Sequence, residues 1–291
     1  MNDGTEPARG LLSGHSNYLF ERNVDDRRRL EHQFGLLRED FNLWFDEALR
    51  LGGLSTDPGW ADWSVLDVGC GEGLFTCEIT RRYPKAQAVG VDVDATAVAA
   101  ASARSPAAPN MRFLVHDARQ PVPSDVRPVG GFDAAVMWMV LPYLPDRRSA
   151  LANLAAAVRP GGVVLLGNVP DEALRLDHPA AEELLAAGRQ LVVRVGLAGL
   201  EGTIGGLLHE VGFDEVATEV LRYPMGGATS YGQRWHAYML MSMSAAKAAI
   251  VDVFGLMDEA EYDRRFERLA AEPVLGLWGE VRFLVTVARR R

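Results

Sequence analysis

From residue 63 to residue 167, short apolar runs alternate with segments whose apolar positions recur every three or four residues, the pattern of a parallel sheet covered by crossover helices. The runs at 64–66, 88–91, 111–115, 132–138 and 163–167 predict five strands. Between them, Leu74, Phe75, Ile79 and Tyr83 recur at helical spacing up to Pro84, and an alanine-rich helix is expected over 96–103. A further helix starts at its cap Asp146, turns Leu151, Leu154, Ala155 and Val158 inward, and stops at Arg159-Pro160-Gly161-Gly162. Beyond residue 167 the spacing predicts helices over 182–191 and 204–211, then a sixth strand over 213–221. A seventh follows at 280–287, where Val281, Phe283, Val285 and Val287 alternate. The intervening piece reads as helices: 231–254 is strongly apolar, and Asp258-Glu259-Ala260-Glu261 has capping-box spacing ahead of a helix to 271 that Pro273 ends.

Two more helices are expected before the first strand. Asp25 caps one running to residue 37 with Leu30, Phe34 and Leu37 on one face. The other, over 41–51, carries Leu43, Trp44, Ala48 and Leu51 and stops at Gly52-Gly53. The expected organisation is a mobile tail (1–17), an N-terminal helical cap (18–55), an alternating core (56–223), a helical lid insertion (224–275) and the last core strand (276–291). No internal repeat or low-complexity linker interrupts it, so one domain with helical additions is preferred over two.

Composition narrows the function. The chain is 48% hydrophobic and 24% charged, the balance of an ordinary globular protein, and its net charge of −9 argues against a nucleic-acid partner. The two cysteines, Cys70 and Cys77, have no obvious disulfide partner, and nothing in the spacing of ligand-type residues supports a metal. There is no apolar run of about 18 residues for a membrane span. Residues 1–16 lack the charged-then-apolar order of a signal peptide, so a cytoplasmic location is expected.

The chemistry gathers at Val65-Leu66-Asp67-Val68-Gly69-Cys70-Gly71-Glu72-Gly73, a buried-strand signal joined to a glycine turn and a helix start. A dinucleotide fingerprint would read G-x-G-x-x-G. Here an acid precedes glycines at every second position, Asp67-x-Gly69-x-Gly71-x-Gly73. That spacing resembles the first motif of the class I S-adenosylmethionine-dependent methyltransferases. The likeness extends through Val91-Asp92, His116-Asp117-Ala118, Phe132-Asp133 and Arg159-Pro160-Gly161-Gly162. It implies a Rossmann-like, doubly wound α/β fold with a seven-stranded sheet ordered 3-2-1-4-5-7-6, the seventh strand antiparallel.

It also implies S-adenosylmethionine as cofactor and S-adenosylhomocysteine as product. Asp67 would serve the cofactor's ammonium directly or through water, while Gly69, Cys70, Gly71 and Gly73 approach its carboxylate and chain. Asp92 stands 25 residues after Asp67 at a strand tip, where one carboxylate can accept from both ribose hydroxyls. Asp117 would accept from the adenine amino group, the Ala118 N–H would donate to a ring nitrogen, and Val93 would touch the base. An Asp after a strand is also commonly a turn former or helix cap, which is the expectation for Asp94.

Outside the core, Arg29-Leu30-Glu31-His32-Gln33-Phe34 and the helical insertion look like a subgroup of small-molecule methyltransferases from secondary metabolism, akin to fungal secondary-metabolite regulators of methyltransferase fold. The subgroup's usual Arg-Leu-x-x-Gln-His ends here in Phe34 instead of His, and Gln33 is either a cofactor contact or a solvated helix residue. Methyl transfer is an in-line displacement that needs placement and dryness more than a base. The acceptor should sit beside Trp138 and Tyr143, a Tyr where related enzymes often carry His. With an ordinary pKa of about 10, Tyr143 suits positioning better than proton abstraction. Trp138 walls the pocket, covers adenine or belongs to the core.

Tyr231, Trp235 and His236 with Tyr238, Met239, Met241 and Met243 suit either a lid over the acceptor or ordinary packing. His236 is the residue among them able to take a proton near neutral pH. The N-terminal helices and 224–275 are expected to close jointly over the acceptor. The expected function is methylation of a small apolar or aromatic metabolite, without metal, membrane or nucleic acid, in a monomer or homodimer. The alternative is a non-methylating cyclase or regulator of the same fold.

Overall fold

A computed structural model describes residues 24–104, 108–170, 172–194, 199–273 and 277–291. The expected tail over 1–17 lies outside them. In chain order the elements are α1 (Val24–Leu51), β1 (Ser64–Val68), α2 (Leu74–Arg82), β2 (Gln87–Asp92), α3 (Ala95–Arg104), β3 (Met111–Val115), β4 (Phe132–Trp138), α4 (Arg147–Ala157) and β5 (Val158–Asn168). Then come β6 (Leu174–Leu176), α5 (Pro179–Arg194), α6 (Ile204–Glu210), β7 (Phe213–Gly226), α7 (Ser230–Ala248), α8 (Glu259–Ala271) and β8 (Trp278–Arg290).

Contacts divide the described chain into two compact units. An alternating unit takes 37–168, 201–219 and 284–291; a helical unit takes 24–36, 169–200 and 220–283. In the alternating unit the strands run β3-β2-β1-β4-β5-β8, parallel except for β8, which is antiparallel to β5. β7 pairs with β8, so the expected order and the antiparallel last strand are present. The expected seven strands become eight. The addition is β6, three residues whose Leu174 pairs with Val281 at the start of β8 inside the helical unit, too short to carry a period-2 signal.

Two expectations about boundaries are corrected. The two N-terminal helices are one, α1, 28 residues long. Arg38-Glu39-Asp40 contains no Gly or Pro to break it, and the buried positions Gln33, Leu37, Phe41, Phe45 and Leu49 recur straight through the supposed gap. The buried face keeps Leu37 and Ala48 of the expected ones, but Leu30, Phe34, Trp44 and Leu51 are half-buried and Leu43 is 62% exposed. Arg159-Pro160-Gly161-Gly162 does stop α4, but it lies within β5 as a bulge: Phe132 pairs with Val158 while Ala134 pairs with Val163. Asp133 ties this end of the sheet together. Its carboxylate accepts from Arg159 Nε at 2.7 Å and from the Ser64 N–H at 2.8 Å.

The helical unit is built on α7. Thr229 caps it by accepting from the Gly232 N–H at 3.0 Å, and the first half of α1 is pinned to it. Arg234 donates to Gly35 O at 3.0 Å, the His32 Nε2 lies 2.9 Å from Arg234 O, and Gln33 Nε2 donates to the Tyr238 hydroxyl at 2.5 Å. Asp258 caps α8 as the capping-box spacing predicts, accepting from the Ala260 and Glu261 N–H groups. The buried Tyr262 hydroxyl then fastens α8 to α7 through Met243 O at 2.5 Å.

Candidate functional site

β1, β2 and β4 all point their carboxyl ends the same way, and the glycine turn after β1 lies among them. The turn folds back on β2: the Gly69 and Cys70 N–H groups donate to Val91 O at 2.7 and 3.0 Å. Gly69, Gly71 and Gly73 have φ of 73°, 53° and 78°, the left-handed region that side chains resist. For two of them space is a second demand. A Cβ on Gly69 would lie 2.1 Å from Val140 Cγ2, and one on Gly73 would lie 2.8 Å from the Phe113 ring. A Cβ on Gly71 would meet nothing within 4 Å, so this backbone faces open space.

Two buried carboxyl groups flank the turn. Asp92, 7% exposed, accepts from the Gly71 N–H through Oδ2 and from the Asp94 N–H through Oδ1, each at 2.9 Å. Asp67, 2% exposed, accepts from the Thr76 hydroxyl at 2.5 Å. Burial, and to a smaller extent the Asp92 charge, pushes the Asp67 carboxyl up to about 6. Burial and then the same two acids push the Cys70 thiol well above its ordinary range, so it stays neutral.

The third-strand acid has a partner that the sequence reading missed. Arg119 grips Asp117 with Nε at 3.0 Å and Nη2 at 2.7 Å, and its N–H adds a third bond at 2.9 Å. The signal was an arginine two residues on. Ala118 O accepts from Asn153 at 3.2 Å, Val93 is half-buried, and Asp94 accepts from the Thr96 N–H at the start of α3 as expected of a cap.

At the end of β4, Trp138 packs edge-on against Phe41 at 5.2 Å and lies over Gly167, whose missing side chain makes its room. Its buried indole Nε1 has no partner. Met139 follows with φ 59°, the one positive value on a non-glycine among the described residues, and its N–H is held by Gly167 O at 2.6 Å. Such strain persists where surroundings over-determine it, commonly at ligand sites. Tyr143 stands half-buried in the short 3-10 turn Leu141–Tyr143 that follows.

Asp67, Gly69, Cys70, Gly71, Gly73, Asp92, Val93, Asp117, Ala118, Trp138 and Tyr143 thus all belong to the alternating unit, whereas Gln33, Tyr231, Trp235 and His236 belong to the helical one. There Gln33 is buried on the Tyr238 hydroxyl, not solvated. Trp235, fully buried, stacks on Tyr223 at 4.5 Å, and Tyr231 is 41% exposed. His236 is buried, its Nε2 lacks a partner, and burial lowers its pKa. Among the described residues no helix is long and apolar enough to cross a membrane, and no group of three His, Cys, Asp or Glu side chains could hold a metal ion.

The donor set at the strand ends suits S-adenosylmethionine. Two buried carboxyl groups beside an open glycine backbone would repel a pyrophosphate, but they match an ammonium and a pair of vicinal hydroxyls. The open Gly71 backbone and the unpartnered Trp138 N–H are the features a bound group would complete.

Residues 65–162 match the family model described as a methyltransferase domain. An uncharacterized methyltransferase of Mycobacterium tuberculosis is 38% identical over 111 residues, 38% of this chain and 53% of the relative. The trans-aconitate 2-methyltransferase of Deinococcus radiodurans is 33% identical over 132 residues, 45% and 46% of the two. The chain thus spans about half the length of these curated relatives. Among solved structures, the [4+2]-cyclase SpnF resembles it in fold with a TM-score of 0.50 at 18% identity, over 98% of this chain and 90% of that one.

Proposed function

We propose that this chain, a member of the class I S-adenosylmethionine-dependent methyltransferases through residues 65–162, methylates a small acceptor with an apolar or aromatic body. The observation that carries the reading is Asp92, a buried carboxylate aimed by two backbone N–H groups and standing 2.9 Å from the glycine turn that it orders. Asp92 takes the ribose hydroxyls, Asp67 the ammonium, the Gly69-to-Gly73 backbone the amino-acid chain, and Asp117 with Ala118 the adenine edge. Bound there, S-adenosylmethionine supplies an electrophilic methyl group on a sulfonium.

The protein's own share of the reaction is placement and the exclusion of water. Met139, Val140 and Tyr143, all half-buried past the end of β4, supply the acceptor's apolar wall, and the Tyr143 hydroxyl orients its nucleophilic atom. The proposal extends to a cytoplasmic enzyme of natural-product tailoring that needs no metal.

The test is calorimetric titration with S-adenosylmethionine. Asp92→Ala leaves ribose donors unmatched, at about 1–3 kcal/mol per group, so affinity should fall at least about tenfold. An unchanged constant would falsify the site. Release of S-adenosylhomocysteine on incubation with candidate acceptors separates methyl transfer from non-methylating use of the same cleft.

A further inference from the structure

Thr76 lies in the first turns of α2, is wholly buried, and sends its hydroxyl not back into its own helix but to Asp67 Oδ2 at 2.5 Å. A threonine inside a helix ordinarily bonds the carbonyl one turn earlier, as Thr80 does toward Thr76 O at 3.3 Å. Thr76 instead spends its single donor on a carboxyl group at the end of β1. The groups acting on that carboxyl are few: the Thr76 hydroxyl and N–H, which favour its charged form, and Asp92 and burial itself, which oppose it. Cys70, a titratable neighbour, is held neutral by its own burial. Among the described residues no cation is one of them. A buried carboxyl in such company keeps its charge through hydrogen bonds alone until a cationic ligand arrives.

We propose that Thr76 is a positioning residue of the cofactor site, whose hydroxyl fixes the Asp67 carboxylate in the orientation and charge state that receive the cofactor's ammonium. The inference rests on the cofactor reading above. Its consequence is a proton linkage. Asp67, with a carboxyl raised to about 6, is partly protonated in the free protein at mildly acid pH and must release that proton when the ammonium binds. Affinity therefore falls as pH drops through about 6, approaching tenfold per unit below it, and is level above. Without the Thr76 hydroxyl the charged form loses a strong hydrogen bond, so the fall begins about one unit higher.

The experiment is titration of the full chain with S-adenosylmethionine from about pH 5 to about pH 7.5, in buffers of different ionisation heat so that protons released are counted directly. Thr76→Val keeps the shape and loses the hydroxyl; Thr76→Ser keeps the hydroxyl and loses the methyl. Expected is a midpoint near pH 6 for the parent, an upward shift of about one unit for Thr76→Val with matching proton release, and a parent-like midpoint for Thr76→Ser. A purely structural Thr76 would lower the melting temperature of Thr76→Val and leave the midpoint where it was, which overturns the proposal. An affinity flat with pH in the parent overturns it too. No binding in any variant at any pH would instead sink the cofactor reading, a distinct outcome.

Discussion

At the strand tips of the alternating unit the buried or half-buried acids carry donors: Thr76 on Asp67, two N–H groups on Asp92, Arg119 on Asp117. On α7 the helical unit buries Trp235 and His236 with ring nitrogens that meet no partner, and Trp235 lies among the Tyr223, Tyr238 and Phe283 rings. The first arrangement supplies its acids with partners, whereas the second carries unpaired ring nitrogens and is held by aromatic area. The alternating unit has exceptions of its own, Asn42 Oδ1 on α1 and two residues at strand ends. Trp138 Nε1 and the Asn168 carboxamide, both unpartnered, stand at the carboxyl ends of β4 and β5, where a sheet of this kind receives ligands. On the proposed function, one unit is built as a site and the other as a core.

The comparison breaks most sharply on Trp235. Trp235→Ala empties the centre of the aromatic cluster and should cost about 3–5 kcal/mol in urea unfolding. Affinity for S-adenosylmethionine, whose proposed strand-end ligands come from the other unit, should stay within about twofold in the protein that remains folded. If affinity falls in step with stability, the helical unit is part of the site and the contrast fails.

The alternating unit gives a finer test within five residues. Gly69→Ala must place a Cβ 2.1 Å from Val140 Cγ2 at a φ of 73°, so strain and overpacking add to about 2–4 kcal/mol. Gly71→Ala has a similar φ of 53° but open space around it, and should cost about 1–2 kcal/mol. Its larger effect should be on cofactor affinity, because the added methyl sits where the ligand approaches. Equal stability losses in denaturant titrations would mean that Val140 yields and that the close packing of the turn is not what fixes Gly69.

The alternating unit was far more legible than the helical one, for physical reasons. β1 to β4 are short, largely apolar runs, and Gly69, Asp92 and Asp117 stand at or just past the ends of the first three, so both the strands and the acids near their tips were readable from residue order. The bulge in β5 was not, because Arg159-Pro160-Gly161-Gly162 stops a helix and bends a strand with the same residues. α1 was misread as two helices because the polar Arg38-Glu39-Asp40 looks like a gap until the four-residue spacing of Leu37, Phe41 and Phe45 is followed across it. Long-range partners were the least visible. Nothing in sequence distance announces that Gln33 meets Tyr238, 205 residues away, or that the Thr76 hydroxyl turns toward Asp67. Those bonds depend on which faces the fold brings together.

The smallest expected effect concerns pH, where the two units should respond with opposite sign. His236 is held neutral by burial, its pKa lowered from an ordinary 6.5, so below that value the unfolded chain binds a proton that the folded chain refuses. Stability tied to His236 is therefore whole above about pH 6.5 and declines as pH falls toward the folded value, by at most about 1.4 kcal/mol per unit. Asp67 runs the other way. Its carboxyl, raised to about 6, makes the folded chain bind the extra proton, so its contribution is whole below the ordinary carboxylate range and is lost as pH rises through about 6. Urea midpoints from about pH 5 to about pH 8 for the parent, His236→Leu and Asp67→Asn isolate each contribution as a difference curve, which cancels the other titrating groups. The parent should lose ground to His236→Leu as the solution is acidified and to Asp67→Asn as it is made alkaline. A His236 difference curve that is flat, or that favours the parent in acid, would show that the folded chain protonates the histidine at least as readily as the unfolded one, and would move it from the core to the list of groups able to act on an acceptor.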